Sequence, residues 1–365
     1  MNPNPQLTVR GLDVRAVDVP MGRPLKTGGG EVGTAAMVLV DLLVEEGITG
    51  SSYVFCPTPV VLGPVAKLLS NLAPLIEGDT LAPVNIERKL QKGFRLLGPQ
   101  GLTAMATAGI DMAAWDALAK ACGLPLARLL GGEPREIPTY NSCGLGVIGA
   151  ERAAEEALEL IAPGFGAVKV RLGYPTIDTD VEVVRAVRAS VGADVTLMSD
   201  YNQSLSVAEA ERRAEALEGE GLYWIEEPTR ADDYSGHARL RRGTKTPIQI
   251  GENWWEPHDM AKSVEAGASD YAMADAMKIG GVTGWLRAAA LAEAAGLPLS
   301  SHLFPEISAH LLAVAPTNHW LEYVDWANPI LEEPLDVKDG YASATDAPGI
   351  GISWDEEAVR RYSVG

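Results

Sequence analysis

Seven short apolar runs, each ending in polar or ionisable residues, recur along the second half of this 365-residue chain. They are AVKVRL (Lys169, Arg171), TLMSDYN (Asp200, Asn202), LYWIEEP (Glu226), IQIGEN (Glu252), YAMADAM (Asp275), LSSHLF (His302) and HWLEYV (Glu322). From Lys169 the steps are 31, 26, 26, 23, 27 and 20 residues. One strand plus one helix occupies about that length. A fold repeating this unit puts the C-terminal ends of its strands on one face, where these distant side chains converge.

The segments between the runs carry helical spacing of apolar residues, at 151–161, 180–190, 207–218, 258–265 and 283–295. Each leads into a glycine-containing turn (GFGA, VGAD, GEGL, AGAS, AGLP) that stops the helix before the next strand. No glycine-rich nucleotide fingerprint follows any strand, so a closed barrel explains the pattern better than an open doubly wound sheet. The expected fold is α/β, a modified TIM barrel of (β/α)7β type over 131–326, its first strand at PTYNSCGL.

Residues 1–130 read differently. LDVRAVDVP and AMVLVDLLV form strands joined by PLKTGGGEVG, a third strand lies near TGSSYVF, and 59–72 and 110–122 have helical spacing. Strands followed by helices indicate a separate α+β domain. The loop-rich segment 327–365 is expected to return to it.

Composition narrows the function classes. A net charge of −19 argues against nucleic acid or an anionic membrane as partner. It also means that an anionic substrate needs a metal or local cations. Three scattered cysteines make no disulfide framework and fit a reducing cytosol. MNPNPQLTVR has no apolar leader region, and AAMVLVDLLV is too short to span a bilayer. A cytoplasmic location is expected.

Asp200, Glu226 and Glu252 end three successive strands. Neighbouring strands lie about 4.8 Å apart, so the three carboxylates reach one ion. Hard oxygen ligands without Cys or His suit Mg²⁺, or Mn²⁺, rather than Zn²⁺. Glu227 is the second candidate, but strand alternation sends it to the opposite face. Asp275 beside His302 forms a dyad suited to general-base work, the carboxylate fixing the tautomer. Lys169 and Arg171 both point inward. Lys169 acts as a base only if neighbouring positive charge lowers its pKa. Arg171 stays protonated and suits binding.

With these residues in hand, the chain resembles the enolase superfamily and, within it, the mandelate racemase subgroup. The resemblance rests on SDYNQSL, WIEEPT, IGENW, DAMKIGGVTGW, SSHLF, EISAHLLA and HWLE, in this order. It implies Mg²⁺ on Asp200, Glu226 and Glu252, and Asp275–His302 as the base on one face. It implies Lys169 on the substrate carboxylate and Glu322 as an acid hydrogen-bonded to it. Ser142 and Asn202 are implied as polar substrate contacts. The N-terminal domain is implied to be a capping domain over the barrel mouth, with a lid around Thr27 to Val32 and with Phe55, Leu96, Leu303 and Val324 giving apolar character. A homo-oligomer, by family analogy an octamer, is implied as well. Two departures stand out. Arg171 replaces the second lysine of a Lys-x-Lys pair, and Gly28 and Gly29 replace small apolar lid residues.

The expected activity is Mg²⁺-dependent abstraction of the α-proton of a small 2-hydroxycarboxylate. A proton there is weakly acidic, and its removal needs a metal and cations to hold the resulting charge. Racemisation or epimerisation is the leading outcome, and dehydration of a sugar acid to a 2-keto-3-deoxy acid is the alternative. A non-catalytic binding protein is a remote third. Glu322 assists only if it is held protonated.

Overall fold

The computed structural model describes residues 7–364. The opening MNPNPQ, read above as lacking an apolar leader, lies outside the described residues.

Strands β1 (Val9–Thr27), β2 (Gly30–Val44) and β3 (Thr49–Cys56) form an antiparallel sheet in that order. The β1–β2 hairpin turns at Gly28 and Gly29, with Thr27 registered against Gly30. Helices α1 (Leu62–Ile76), α2 (Pro83–Gly93) and α3 (Leu102–Cys122) complete the capping domain. The stretch Pro59–Ile76 matches a membrane span in length and hydropathy but is 28% buried. Leu62, Val65, Leu69, Leu72 and Ile76 are its buried residues in α1, the spacing of one helical face packed on a core. α3 is rich in alanine because β3 approaches it closely. A Cβ at Gly50 would collide with the Ala113 carbonyl.

Buried acids tie this domain to the rest of the chain. Asp111 accepts from the Thr283 backbone N–H at 3.0 Å and pairs with its hydroxyl at 2.5 Å. Asp116 accepts from the N–H groups of Ser51 and Ile350, both at 2.7 Å. Asp41 accepts from Trp354 Nε1 at 2.9 Å.

A short α4 (Leu126–Leu129) precedes the barrel. Strands and helices then alternate: β4 (Glu136–Asn141), α5 (Ala150–Ile161), β5 (Ala167–Arg171), α6 (Ile177–Val191), β6 (Thr196–Asp200), α7 (Val207–Ala216) and β7 (Leu222–Glu226). They continue with α8 (Tyr234–Gly243), β8 (Ile248–Ile250), α9 (Glu256–Ala266), β9 (Tyr271–Asp275), α10 (Gly281–Ala295), β10 (Leu299–His302), α11 (Pro305–Val314) and β11 (Leu321–Tyr323). Neighbouring strands from β4 to β10 pair in parallel. β11 pairs with β4, and Ser301 N–H donates to the Trp320 carbonyl at 3.0 Å, which closes the ring. This is the (β/α)7β barrel the spacing predicted. Helices α2 and α8 carry no signal in the reading above, which leaves both segments unassigned.

The tail does more than return to the capping domain. β12 (Val337–Lys338) and β13 (Tyr341–Ser343) form a hairpin whose second strand pairs with β4. α12 (Glu356–Tyr362) follows, and Val364 N–H donates to the Ala16 carbonyl of β1.

Candidate active site

Register explains the convergence. Arg171 on β5 lies opposite Asp200 on β6, Asp200 opposite Glu226 on β7, and Glu226 opposite Gln249 on β8. Asp275 on β9 lies opposite His302 on β10. Side chains registered across parallel strands share a face, so Arg171, Asp200, Glu226, Asp275 and His302 ring the barrel mouth, while Gln249 turns down to Met273 Sδ. Beneath them, Tyr140, Ala167, Met198, Trp224 and Met273 fill the interior as a dry plug. Several residues just past the strand ends hold left-handed backbone without being glycine: Asn202 (φ 46°), Glu227 (φ 35°) and Leu303 (φ 49°). Such conformations cost free energy and persist where the surrounding structure imposes them.

Asp200, Glu226 and Glu252 are buried, and one oxygen of each lies within 4.8 Å of the others. Three carboxylates at that spacing, with no His or Cys among them, are a donor set for a hard divalent cation, and the residues fit Mg²⁺. Burial raises the Asp200 carboxyl and pushes that of Glu226 up to about 8, with neighbouring acids adding to the effect. A divalent cation among them relieves that repulsion. Alternation fails at Glu227. Its positive φ brings the side chain round to the same neighbourhood, where Oε2 accepts from Asn253 Nδ2 at 2.7 Å. Asn253 also donates to Glu252 Oε1 at 3.1 Å, so Glu227 supports a ligand through it.

Lys169 reaches Glu226 at 2.5 Å, Glu322 at 2.9 Å and Asp200 at 3.3 Å. Burial opposes its charge, but Glu226, Glu322 and Asp200 outweigh burial and hold the ammonium firmly protonated. The lowered pKa considered for Lys169 is therefore not found: Arg171 is one cation against three carboxylates. Arg171 spends its terminal nitrogens on the loop after β4. Nη1 donates to the Gly144 carbonyl at 2.5 Å and Nη2 to Ser142 Oγ at 2.8 Å.

Glu322 also departs from expectation. Burial alone would raise its carboxyl, but Lys169, His302 and the Leu303 N–H pull it well below the usual range. It accepts from Ser142 Oγ at 2.7 Å and Leu303 N at 3.0 Å, a carboxylate's set of donors. Ser142 is fully buried between Arg171 and Glu322 and does not border the cavity, so its expected substrate contact is replaced by a supporting one.

His302 Nδ1 lies 2.7 Å from Asp275 Oδ2, and its Nε2 lies 3.3 Å from Glu252 Oε2. Asp275 is itself held by the N–H groups of Met277 and Lys278, both at 2.8 Å to Oδ1. Burial would lower the imidazole pKa; Glu252, Glu322 and Asp275 together raise it to about 9.

A cavity of about 260 Å³ opens over these groups. Lys169, Arg171, Asp200, Asn202, Glu252, Asp275, His302 and Glu322 border it, as do the predicted Thr27, Val32, Phe55 and Leu303. Its apolar wall also includes Leu25, Pro57, Met277 and Trp326, and its polar side Gln203, Asn253 and Lys278. None of these last residues carries a role in the sequence reading. Leu96 is fully exposed and Val324 lies outside the lining, so neither shapes the cavity. The lid glycines do not enlarge it. A Cβ on Gly28 would come within 2.6 Å of Ser204 Oγ, and one on Gly29 within 2.9 Å of the Asn202 carbonyl. Their missing side chains let the hairpin tip settle onto the loop after β6.

Known proteins are similar to this chain in sequence and fold. The model of the mandelate racemase/muconate lactonizing enzyme N-terminal domain matches residues 10–131, and that of the enolase C-terminal domain-like family matches residues 152–358. L-talarate/galactarate dehydratase of Salmonella typhimurium is 31% identical over 327 residues, 89% of this chain and 82% of that protein. The 3,6-anhydro-alpha-L-galactonate cycloisomerase of Streptomyces coelicolor is 35% identical over 270 residues, 73% and 74% of the two chains. A Bradyrhizobium enolase solved with magnesium and mandelic acid is 44% identical, with a TM-score of 0.95 and 99% of each chain covered. Barrel, carboxylate cluster and family models agree: this chain is a Mg²⁺-dependent enzyme of the enolase superfamily, in the mandelate racemase/muconate lactonizing enzyme family.

Proposed function

We propose that the protein removes the α-proton of a 2,3-dihydroxycarboxylate with His302 and expels the 3-hydroxyl as water, giving a 2-keto-3-deoxy acid. The single observation that carries this reading is the state of Arg171. Its terminal nitrogens are committed to Gly144 and Ser142, and a guanidinium does not deprotonate at working pH. One face of the substrate then has a base and the other has none. Dehydration needs only one.

In this scheme the substrate carboxylate lies beside Lys169, whose ammonium balances its charge. Neutral His302, favoured when a cation on Glu252 offsets the carboxylate that raises its pKa, would take the α-proton at Nε2 while Asp275 stabilises the resulting imidazolium through Nδ1. Mg²⁺ on Asp200, Glu226 and Glu252 supplies Lewis-acid stabilisation of the negative charge that develops on the carboxylate. The imidazolium then returns its proton to the departing 3-hydroxyl. The C3–O bond breaks, water leaves, and the enol tautomerises to the 2-keto acid. Ionised Glu322 keeps Lys169 and Ser142 in place rather than serving as the acid.

A second reading is racemisation of a 2-hydroxy acid with an apolar substituent. The wall of Leu25, Val32, Phe55, Met277, Leu303 and Trp326 favours it, as does likeness to the mandelate-bound Bradyrhizobium structure. Incubation of the Mg²⁺-loaded enzyme with a panel of sugar acids and aryl or alkyl 2-hydroxy acids separates the two. Semicarbazide trapping detects keto acids and polarimetry detects inversion. Keto acid without inversion is the expected result. Inversion of an apolar acid with no keto acid would overturn dehydration in favour of the second reading.

A further inference from the structure

Glu226 is held from below by two neutral donors. Trp224 points into the barrel two residues earlier on β7, and its Nε1 donates to Glu226 Oε2 at 3.0 Å. Gln249, registered opposite Glu226 on β8, donates to the same oxygen from Nε2 at 3.2 Å. Both side chains are fully buried, and neither takes part in the reaction scheme above. Oε1 is the oxygen that Lys169 meets at 2.5 Å. One oxygen of Glu226 is thus satisfied in the dry interior, and the other faces Lys169, which borders the cavity.

We propose that Trp224 and Gln249 are positioning residues that restrict Glu226 to one-oxygen ligation and thereby tune the site for Mg²⁺ against Ca²⁺. The reasoning is geometric. Ca²⁺ accepts six to eight oxygens and tolerates a carboxylate that offers both. Mg²⁺ is smaller and demands near-octahedral geometry, which single-oxygen carboxylates supply. For Glu226 to swing both oxygens onto a cation it would have to break two buried hydrogen bonds and strand an indole N–H and an amide N–H. Selection against the larger ion is then built into the layer beneath the ligands, as hydrogen-bonding partners of metal ligands commonly tune metal sites. The inference rests on the metal site and not on which reaction follows.

The test is calorimetric titration of the full-length protein, stripped of metal by chelation, with Mg²⁺ and separately with Ca²⁺. The variants are Trp224→Phe, which keeps the ring and drops the donor, and Gln249→Met, which keeps the volume. Mg²⁺ affinity is expected to fall roughly 10- to 100-fold, with Ca²⁺ affinity changing less, so that the Mg²⁺ preference narrows. The second variant leaves the indole in place, so the question stays decidable if Trp224→Phe fails to fold. An unchanged Mg²⁺-to-Ca²⁺ ratio in the folded variants would overturn the proposal. Failure of the unaltered protein to bind Mg²⁺ would instead remove the metal site itself, and this inference with it.

Discussion

Arg171 donates to Ser142 Oγ at 2.8 Å, and that hydroxyl donates onward to Glu322 Oε1 at 2.7 Å. The guanidinium is therefore a strut between the loop after β4 and the carboxylate on β11. A lysine at this position has no planar fork with which to hold the Gly144 carbonyl and Ser142 together. It would instead carry an amine whose proton can leave. Arg171→Lys is expected to raise α-proton exchange on the face opposite His302 by at least about tenfold. NMR in D2O with each enantiomer of a 2-hydroxy acid measures this, and an unchanged rate would show that Arg171 does not limit that face.

In the proposed reaction His302 and Asp275 act as one unit, joined at 2.7 Å. His302→Asn removes the proton acceptor, and Asp275→Asn supports the wrong tautomer. Each is expected to lower kcat by roughly 10²- to 10⁴-fold. Mg²⁺ affinity should stay within a few-fold in Asp275→Asn, because Asp275 lies outside the cluster of Asp200, Glu226 and Glu252. A large loss of Mg²⁺ binding there would mean that the dyad serves the metal rather than the proton.

Mg²⁺ binding should stabilise the fold. A ligand present at a hundred times its dissociation constant contributes about 2.7 kcal/mol, which raises Tm by several degrees. Asp200→Asn and Glu252→Gln should each abolish this Mg²⁺-dependent rise, and EDTA should abolish activity in the unaltered enzyme. Thermal melts with and without Mg²⁺ read both effects. A rise that survives both substitutions would place the cation elsewhere.

These residues show what a linear reading reaches. The barrel, its polar strand ends and the metal trio were legible because strand-plus-helix spacing is a local property, and a strand's last residue is recognisable by its chemistry. Glu227 was misplaced because alternation assumes extended backbone, and its φ of 35° breaks the rule. The charge states of Lys169 and Glu322 depend on partners far away in sequence, such as Lys169 on Glu322. The apolar wall joins Leu25 of the capping domain to Trp326 beyond the last barrel strand, a pairing that only the closed fold makes. Gly28 and Gly29 stood out as departures in the lid, and only the fold shows the loop after β6 packed against them.

His310 offers a test of stability against pH. Its imidazole is fully buried, accepts from Ala127 N–H at Nδ1, and is lowered to about 4 by burial. In the unfolded chain it takes a proton near pH 6.5. The unfolded state therefore binds the proton first as pH falls. Stability is lost between about pH 6.5 and 4, by on the order of 3 kcal/mol from this residue. Urea denaturation at pH 7 and 4.5 should show a smaller loss in His310→Gln than in the unaltered protein. Equal losses would mean that His310 does not contribute.

The one-sided base is the centre of the account, and the stereochemistry of exchange tests it most directly. The Mg²⁺-loaded enzyme is incubated in D2O with each enantiomer of a 2-hydroxy acid that it binds, and α-deuterium is followed by NMR. The account predicts exchange of one enantiomer only, with retention of configuration, and loss of that exchange in His302→Asn. Comparable exchange of both enantiomers, or exchange that survives His302→Asn, would contradict it.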